Sequence, residues 1–344
     1  GAGFIGSKFI HYTLTNYPEY RVINLDLLTY AGNLENLKDV ADYGNYWFIQ
    51  GDICCSRPVE KIFQEFRIDY VINFAAETHV DRSINEPESF IKTNVLGTVN
   101  LLNVARKYWE DDDDSYGVHK FIQISTDEVY GSLGAEGLFS EDTPLDPHSP
   151  YSASKAGADL LAKSFYTTYG FPVIITRCSN NYGPYQFPEK LIPLMINNAL
   201  EKKALPLYGD GLQIRDWLYV EDHCTAIALV LEKGKAGEVY NIGGRNEETN
   251  LQVVKTIIKY LHDHVDPKIT EDLIQYVTDR KGHDRRYGID PSKIQNELGW
   301  SAQTPFHRGI KKTIRWYLEH QEWLQNVTSG EYQKYYQKMY GSPD

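Results

Sequence analysis

The 344-residue chain is 42% hydrophobic and 24% charged, with a formal net charge of -12, which argues against a broad basic surface for nucleic acid or an anionic membrane. Its length allows a full core in one large or two interleaved domains without disulfides or structural metals. Cysteines at 54, 55, 178 and 224 form no C-x-x-C pair and match no zinc spacing, no stretch approaches the roughly 18 apolar residues of a membrane span, and no leader is visible, so a reducing cytoplasm is expected.

The chain opens on Gly1-Ala2-Gly3-Phe4-Ile5-Gly6. A phosphate-binding glycine loop is fed by a strand, and that strand is expected upstream of Gly1. Ser7 to Tyr17 then carries apolar residues at helical spacing, and Arg21 to Asp26 reads as a short buried strand. Tyr46 to Gln50 and Tyr70 to Phe74 are strand-like, Ser56 to Phe66 is helix-like, and Pro87 opens one long helix to Tyr108. The acids at 110–114 read as a solvated loop. Lys120 to Ser125 is a further strand, Ser154 to Tyr169 a helix, and Val173 to Arg177 a strand. Such alternation predicts an α/β protein with a doubly wound parallel sheet covered on both faces.

Past Arg177 the pattern loosens. Asn180 to Lys190 and Leu205 to Trp217 are turn-rich, and helices are expected at Leu191 to Leu200, Glu221 to Leu231 and Leu251 to Leu261. We expect a dinucleotide domain over 1–179, a smaller α/β substrate lobe over 180–330, and a tail at 331–344. The stretch at about 215–245 is expected to rejoin the first domain.

The small residues of the opening loop let backbone approach a pyrophosphate, and the amides of Phe4, Ile5 and Gly6 begin a helix that favours its charge. Asp26 stands about 20 residues beyond the loop at a predicted strand end, where a carboxylate accepts hydrogen bonds from a ribose 2′-hydroxyl. It repels a 2′-phosphate, which favours NAD over NADP. Gly51-Asp52-Ile53, after the next strand, is a candidate adenine contact.

Tyr151 and Lys155 are spaced i, i+4 and share a helix face. An ammonium there is expected to depress the phenol's pKa and make tyrosinate available as a base. Upstream, a strand ends in Ser125-Thr126-Asp127-Glu128-Val129-Tyr130-Gly131. That places two adjacent carboxylates at the carboxyl end of a parallel strand, where open α/β sheets bind ligands.

Together with Leu28-Thr29-Tyr30-Ala31-Gly32-Asn33-Leu34, Phe74-Ala75-Ala76-Glu77-Thr78-His79-Val80-Asp81-Arg82-Ser83 and Asn180-Asn181-Tyr182-Gly183-Pro184-Tyr185-Gln186, these motifs resemble those of the dTDP-glucose 4,6-dehydratases, extended short-chain dehydrogenase/reductases of Rossmann type. The resemblance continues through Arg215-Asp216-Trp217 and Arg280 to Tyr287. It is most specific at Thr-Asp-Glu, where related epimerases carry small or neutral residues. The family's chemistry implies that Tyr151, with Lys155 and Thr126, takes the C4 hydroxyl proton while NAD accepts the hydride. Glu128 then removes the C5 proton, Asp127 protonates the departing C6 hydroxyl, and the hydride returns to C6. Asp127 is therefore expected protonated and Glu128 ionised.

By the same resemblance Ala75, Ala76 and Thr93 join the cofactor contacts. Ser83, Asn180, Glu189, Lys190, Leu191, Arg215, Asn250, Arg280 and His283 are expected around the sugar nucleotide, with Arg215 and Arg280 on its phosphates. The family implies a homodimer built on the Pro87 to Tyr108 and Ser154 to Tyr169 helices. His79 and Cys178 read as packing residues, and no metal is expected. A UDP-sugar epimerase or decarboxylase shares Gly3, Asp26, Tyr151 and Lys155, but Asp127 and Glu128 argue against it. A non-catalytic dinucleotide-binding protein is disfavoured because Tyr151 and Lys155 both stand.

Overall fold

The structure is a computed structural model that describes residues 1–110 and 115–328. Most of the acidic run and the tail at 331–344 lie outside the described residues. In chain order the strands are β1 (Val22–Asp26), β2 (Tyr46–Gln50), β3 (Tyr70–Asn73), β4 (Lys120–Thr126), β5 (Val173–Cys178), β6 (Asn180–Tyr182), β7 (Leu205–Tyr208), β8 (Ile214–Tyr219), β9 (Val239–Ile242), β10 (Glu247–Thr249) and β11 (Ile274–Val277).

Strands buried on both faces need apolar residues on both, and β4 and β5 supply them alternately. Ile122, Ile124 and Ile174 pack with Phe9 of the Phe4–Asn16 helix and with Val220 and Ile227 of the Val220–Lys233 helix. On the opposite face, Phe121, Val173 and Ile175 pack with Leu101 and Leu102 of the Thr98–Trp109 helix and Phe165 of the Pro150–Tyr169 helix. Each fully buried large side chain contributes roughly 1.5–3 kcal/mol. This two-sided core fixes the strand ends on which the site is built.

The expected parallel sheet is present in two pieces. β1 pairs with β2 alone, while β3, β4, β5 and β9 form a separate four-stranded parallel sheet in that order. β1 and β3 both line a cavity of about 480 Å³, together with Phe9, Ile10, Ile62 and Phe63. Among the described residues no strand lies between them, so neither edge has a partner on that side.

The long helix expected from Pro87 is interrupted: Pro87–Phe90 and Thr98–Trp109 are α-helical, but Ile91–Gly97 is a π-helix. Asn94, inside it, accepts from the Glu77 amide (2.8 Å) and donates to the Glu77 carbonyl (3.0 Å) and to Ser154 Oγ (2.8 Å). The widened turn also carries Thr93, in keeping with the tendency of π-bulges to sit at functional sites. The helix expected from Ser154 begins earlier, at Pro150. Ser149 Oγ accepts from the Ser152 amide (3.0 Å), the Ser149 amide donates back to Ser152 Oγ (3.1 Å), and Pro150 occupies the first turn. Gly170, at φ 65°, closes its far end.

In the second lobe, β8 runs parallel to β6 and antiparallel to β10, and β11 is parallel to β7. The Leu205 to Trp217 stretch, expected as turns, therefore contains two strands, joined through Gly209 and Gly211 at positive φ. Leu205 and Leu207 point into a core shared with Ile196, Val254 and Ile314, and this burial overrides the turn-rich composition. β9 returns the chain to the first sheet beside β5.

Candidate active site

The carboxyl ends of β1 to β5 converge on a cavity of about 300 Å³. Gly3, Phe4, Ile5, Gly6, Asp26, Asp52, Ile53, Ala75, Ala76 and Thr93 line one part of it; Thr126, Asp127, Glu128, Tyr151, Lys155, Asn180, Glu189 and Lys190 line the rest. Ser83, Leu191, Arg215, Asn250, Arg280 and His283 are not among its walls. Ser83 is buried and donates to the Val80 carbonyl at 2.6 Å, and the Asn250 amide donates to the Gln213 carbonyl. Tyr30, Thr78, Gln186 and Phe187 line the cavity without having been assigned to it. Their signal was present in the Leu28 to Leu34, Phe74 to Ser83 and Asn180 to Gln186 motifs, although Phe187 lies just beyond the last.

At the cofactor end, Gly3 caps the first helix without a side-chain bond, and a Cβ placed on it would meet only Ala31 O, at 3.9 Å. The surface above the helix start is thus open, with orphan amides beneath it. Gly6 is required for a different reason: a Cβ there would lie 2.8 Å from Gly1 Cα. Asp26 Oδ2 accepts from the backbone nitrogens of Gly1 (2.8 Å) and Ala2 (2.7 Å), and Oδ1 accepts from the Leu28 amide (2.8 Å). Burial acts to raise the Asp26 pKa, and the Leu28 and Ala2 amides that donate to it act to lower it.

β4 ends at Thr126, whose hydroxyl accepts from the Glu128 amide (3.3 Å) and caps the 3-10 turn Asp127–Tyr130. Gly131 exits the turn at φ 89°, and a Cβ there would lie 2.5 Å from Asp146 O. The turn sets two carboxyls side by side, Asp127 buried and Glu128 half-buried. Asp127 is raised well above its ordinary pKa by burial, then by Glu128 and Asp216. Glu128 is also raised by burial, but Arg280, Arg215 and Lys190 all oppose the rise.

Tyr151 and Lys155 are buried on the Pro150–Tyr169 helix. The expectation that Lys155 depresses the phenol is corrected here: Tyr151 is pushed well above its ordinary pKa, first by burial and then by Glu128 and Cys178, with the Thr126 hydroxyl opposing. Lys155 Nζ donates to the Ile124 carbonyl at 2.6 Å. Cys178 is buried, and burial pushes its thiol up to about 12, so it has no nucleophilic character.

The cations lie at the other end. Arg215 is buried, donates to the carbonyls of Ile214 (2.8 Å) and Asp284 (2.9 Å), and stacks 4.2 Å from the Tyr287 ring centroid. Arg280 Nε is buried without a hydrogen bond, as is Asn180 Oδ1. His283 Nδ1 is 2.5 Å from Asp279 Oδ1, and burial and Arg280 push the imidazole down to about 4. His79 is buried, with Nε2 3.9 Å from Glu189 Oε2. Among the described residues no group of three or more His, Cys, Asp or Glu could hold a metal ion.

The family described as GDP-mannose 4,6 dehydratase matches residues 1–313. The dTDP-glucose 4,6-dehydratase of Salmonella typhimurium is 53% identical over 99% of this chain and 97% of its own length. Two solved structures are close to this fold. That of the dTDP-glucose 4,6-dehydratase of Bacillus anthracis in complex with NAD has a TM-score of 0.85 at 52% identity, covering 95% of this chain and 97% of the other. That of the dTDP-glucose 4,6-dehydratase of Streptomyces venezuelae, with NAD bound, has a TM-score of 0.88 at 45% identity and the same coverage. The chain belongs to the GDP-mannose 4,6 dehydratase family, and the relatives it resembles here are dTDP-glucose 4,6-dehydratases.

Proposed function

We propose that this chain converts dTDP-glucose to dTDP-4-keto-6-deoxyglucose with NAD as a tightly held cofactor. The residues fit a dinucleotide: an open, uncapped helix start at Gly3, a ribose-side carboxylate at Asp26, and Asp52, Ile53 and Thr93 in the same cavity. Asp26 already accepts three hydrogen bonds, but two carboxylate oxygens offer about four acceptor sites. NAD supplies a hydride acceptor for C4 and a hydride donor for C6.

The chain's own residues handle the protons. Thr126 holds the C4 hydroxyl and Tyr151, beside Lys155, takes its proton as tyrosinate, a form that the Thr126 hydroxyl favours and that burial and Glu128 oppose, leaving a ketone that acidifies C5. Glu128 then removes the C5 proton, and Asp127 protonates the C6 oxygen as it leaves. The observation that carries this reading is the asymmetry of the two acids. Burial, Glu128 and Asp216 raise Asp127 well above its ordinary value against Arg215 and Thr126, whereas Glu128 is raised less, with Arg280, Arg215 and Lys190 all opposing its burial. Epimerisation at C4 needs no such second pair. Arg215 and Arg280 bind the diphosphate, Asn180, Glu189, Lys190 and Leu191 bound the sugar, and Asn250 and His283 face the nucleoside, with Ser83 supporting the loop from within.

Two copies associate through the segment from Pro87 to Tyr108 and the Pro150–Tyr169 helix, where Ile91, Leu96 and Leu160 are exposed large apolar side chains. The protein works in a reducing cytoplasm, a reading supported by its four free cysteines. Among the described residues no helix is long and apolar enough to cross a membrane. The decisive experiment incubates NAD-loaded protein with dTDP-glucose and follows the sugar nucleotide by mass spectrometry. Loss of one water with no net NADH is expected; an unchanged mass would overturn the reading.

A further inference from the structure

Behind Lys155, away from the cavity, a buried chain of polar groups takes no part in the mechanism above. Asp159 follows Lys155 by one helical turn, and both are buried. Asp159 Oδ2 accepts from Arg177 Nε of β5 at 2.9 Å, with the two side chains 1% and 7% exposed. Arg177 NH1 donates to Tyr130 Oη at 3.0 Å, its guanidinium lies 4.9 Å from the Tyr130 ring centroid, and the Tyr130 hydroxyl donates to Asn241 Oδ1 at 2.8 Å. Tyr130 in turn closes the 3-10 turn that carries Asp127 and Glu128. Asp159 Oδ1 is buried and makes no hydrogen bond.

A buried ion pair is a weak source of net stability, because desolvation cancels most of its attraction. Its placement therefore calls for another account. Lys155 sits in the same buried layer with its ammonium on the Ile124 carbonyl, and a neutral acceptor does little to offset the cost of a buried cation. Burial lowers the Lys155 pKa, and the groups that act against this are Asp159 on its own helix and Cys178 on β5. Burial raises Asp159, and Arg177 and Lys155 oppose that rise. Asp159 is thus ion-paired with Arg177 and, one helical turn from Lys155, favours that ammonium through its charge.

We infer that Asp159 and Arg177 are positioning residues for C4 oxidation, a buried pair that holds Lys155 as a fixed ammonium beside Tyr151. The inference rests on the dehydratase reading for the step it serves. Asp159 supplies the charge; Arg177 locks the carboxylate in place and limits how much of it Lys155 receives. The two residues consequently affect Lys155 with opposite sign, which a purely structural bridge does not do.

The test measures single-turnover NADH fluorescence on mixing NAD-loaded protein with dTDP-glucose across pH. Loss of the Lys155 ammonium sets an alkaline limb. In Asp159→Asn that limb moves to lower pH, by on the order of one unit or more for removal of a neighbouring charge. In Arg177→Gln it moves to higher pH, and in Asp159→Glu it stays near the wild-type position. Rates that fall in all three variants with unmoved limbs overturn the inference. Should the wild type give no signal with dTDP-glucose, the dehydratase reading fails, and the pair is judged by unfolding instead. A lysine held charged by Asp159 makes the Asp159→Asn stability deficit shrink as pH rises between the folded-state lysine pKa of the variant and that of the wild type, both below the ordinary value of about 10.4, the unfolded titration being common to both. A constant deficit overturns the inference. Should Arg177→Gln fail to fold, the Asp159→Asn measurement decides alone.

Discussion

Tyr30 and Glu189 join the two lobes: the Tyr30 hydroxyl, from the loop after β1, donates to Glu189 Oε1 at 2.9 Å, just before the Leu191–Leu200 helix. Arg82 lies 3.8 Å from the Tyr30 ring centroid, and Lys190 Nζ donates to the Thr78 carbonyl at 2.9 Å. Burial raises the Glu189 carboxyl to about 7, with Lys190, Arg82 and Tyr30 opposing. The folded state therefore binds more protons than the unfolded chain between the ordinary glutamate value of 4.5 and about 7. Stability falls as pH rises through that window, and the loss is complete above it.

The shift corresponds to about 3 kcal/mol at most. Glu189→Gln keeps an acceptor for Tyr30 and removes the titration. The variant should gain stability relative to wild type on going from about pH 5 to about pH 8, as read from urea unfolding. Parallel curves for the two proteins would show that Glu189 does not titrate in that range.

Gly131→Ala tests the turn that presents the acids. The substitution places a Cβ at φ 89° and 2.5 Å from the Asp146 carbonyl oxygen, which is backbone. A destabilisation of about 1–3 kcal/mol follows from the strained backbone alone. Activity should fall further than stability accounts for, since Asp127 and Glu128 move with the turn. Full activity with an unchanged denaturation midpoint contradicts the constraint.

The strand-helix alternation was legible because parallel strands and amphipathic helices leave periodic marks. β2 and the Ser56–Phe66 helix fall where expected. What escaped is set by three-dimensional neighbours. The π-helix at Ile91–Gly97 depends on Asn94 reaching Glu77 and Ser154, distant in sequence. β7 and β8 owe their strand form to the buried core of the second lobe, against a composition rich in turn residues. Asp127, Glu128, Tyr151 and Lys155 were readable as motifs, whereas the orientation of Lys155 toward Ile124 was not, because side-chain direction carries no periodic signal. Tyr30 stood within a quoted motif but has no chemistry of its own that marks it; only its bond to Glu189, far along the chain, does.

Asp26 should govern cofactor choice. Its carboxylate, which accepts from the backbone nitrogens of Gly1, Ala2 and Leu28, offers acceptors to a ribose diol and repels a 2′-phosphate. Asp26→Asn should weaken NAD by about tenfold or more, the scale of one charge-assisted hydrogen bond, and weaken NADP less. Calorimetric titration of both cofactors gives the ratio directly. An unaltered NAD to NADP preference would place discrimination elsewhere in the cavity.

The two acids can be separated by isosteric amides. Glu128→Gln removes the base for C5 after C4 has been oxidised, so dTDP-glucose should produce NADH fluorescence that persists, with product formation slowed about 10²- to 10⁴-fold. Asp127→Asn removes the acid for the C6 oxygen but leaves the C5 base. It should therefore exchange deuterium from solvent into C5 faster than it loses water. The variants also act on each other's titration. Burial raises Asp127 first and Glu128 second, so neutralising Glu128 lowers the Asp127 pKa and brings the loss of its acid form to lower pH. Ordinary turnover by Glu128→Gln would remove Glu128 from its role, and equal loss of exchange and dehydration in Asp127→Asn would assign both proton transfers to one residue.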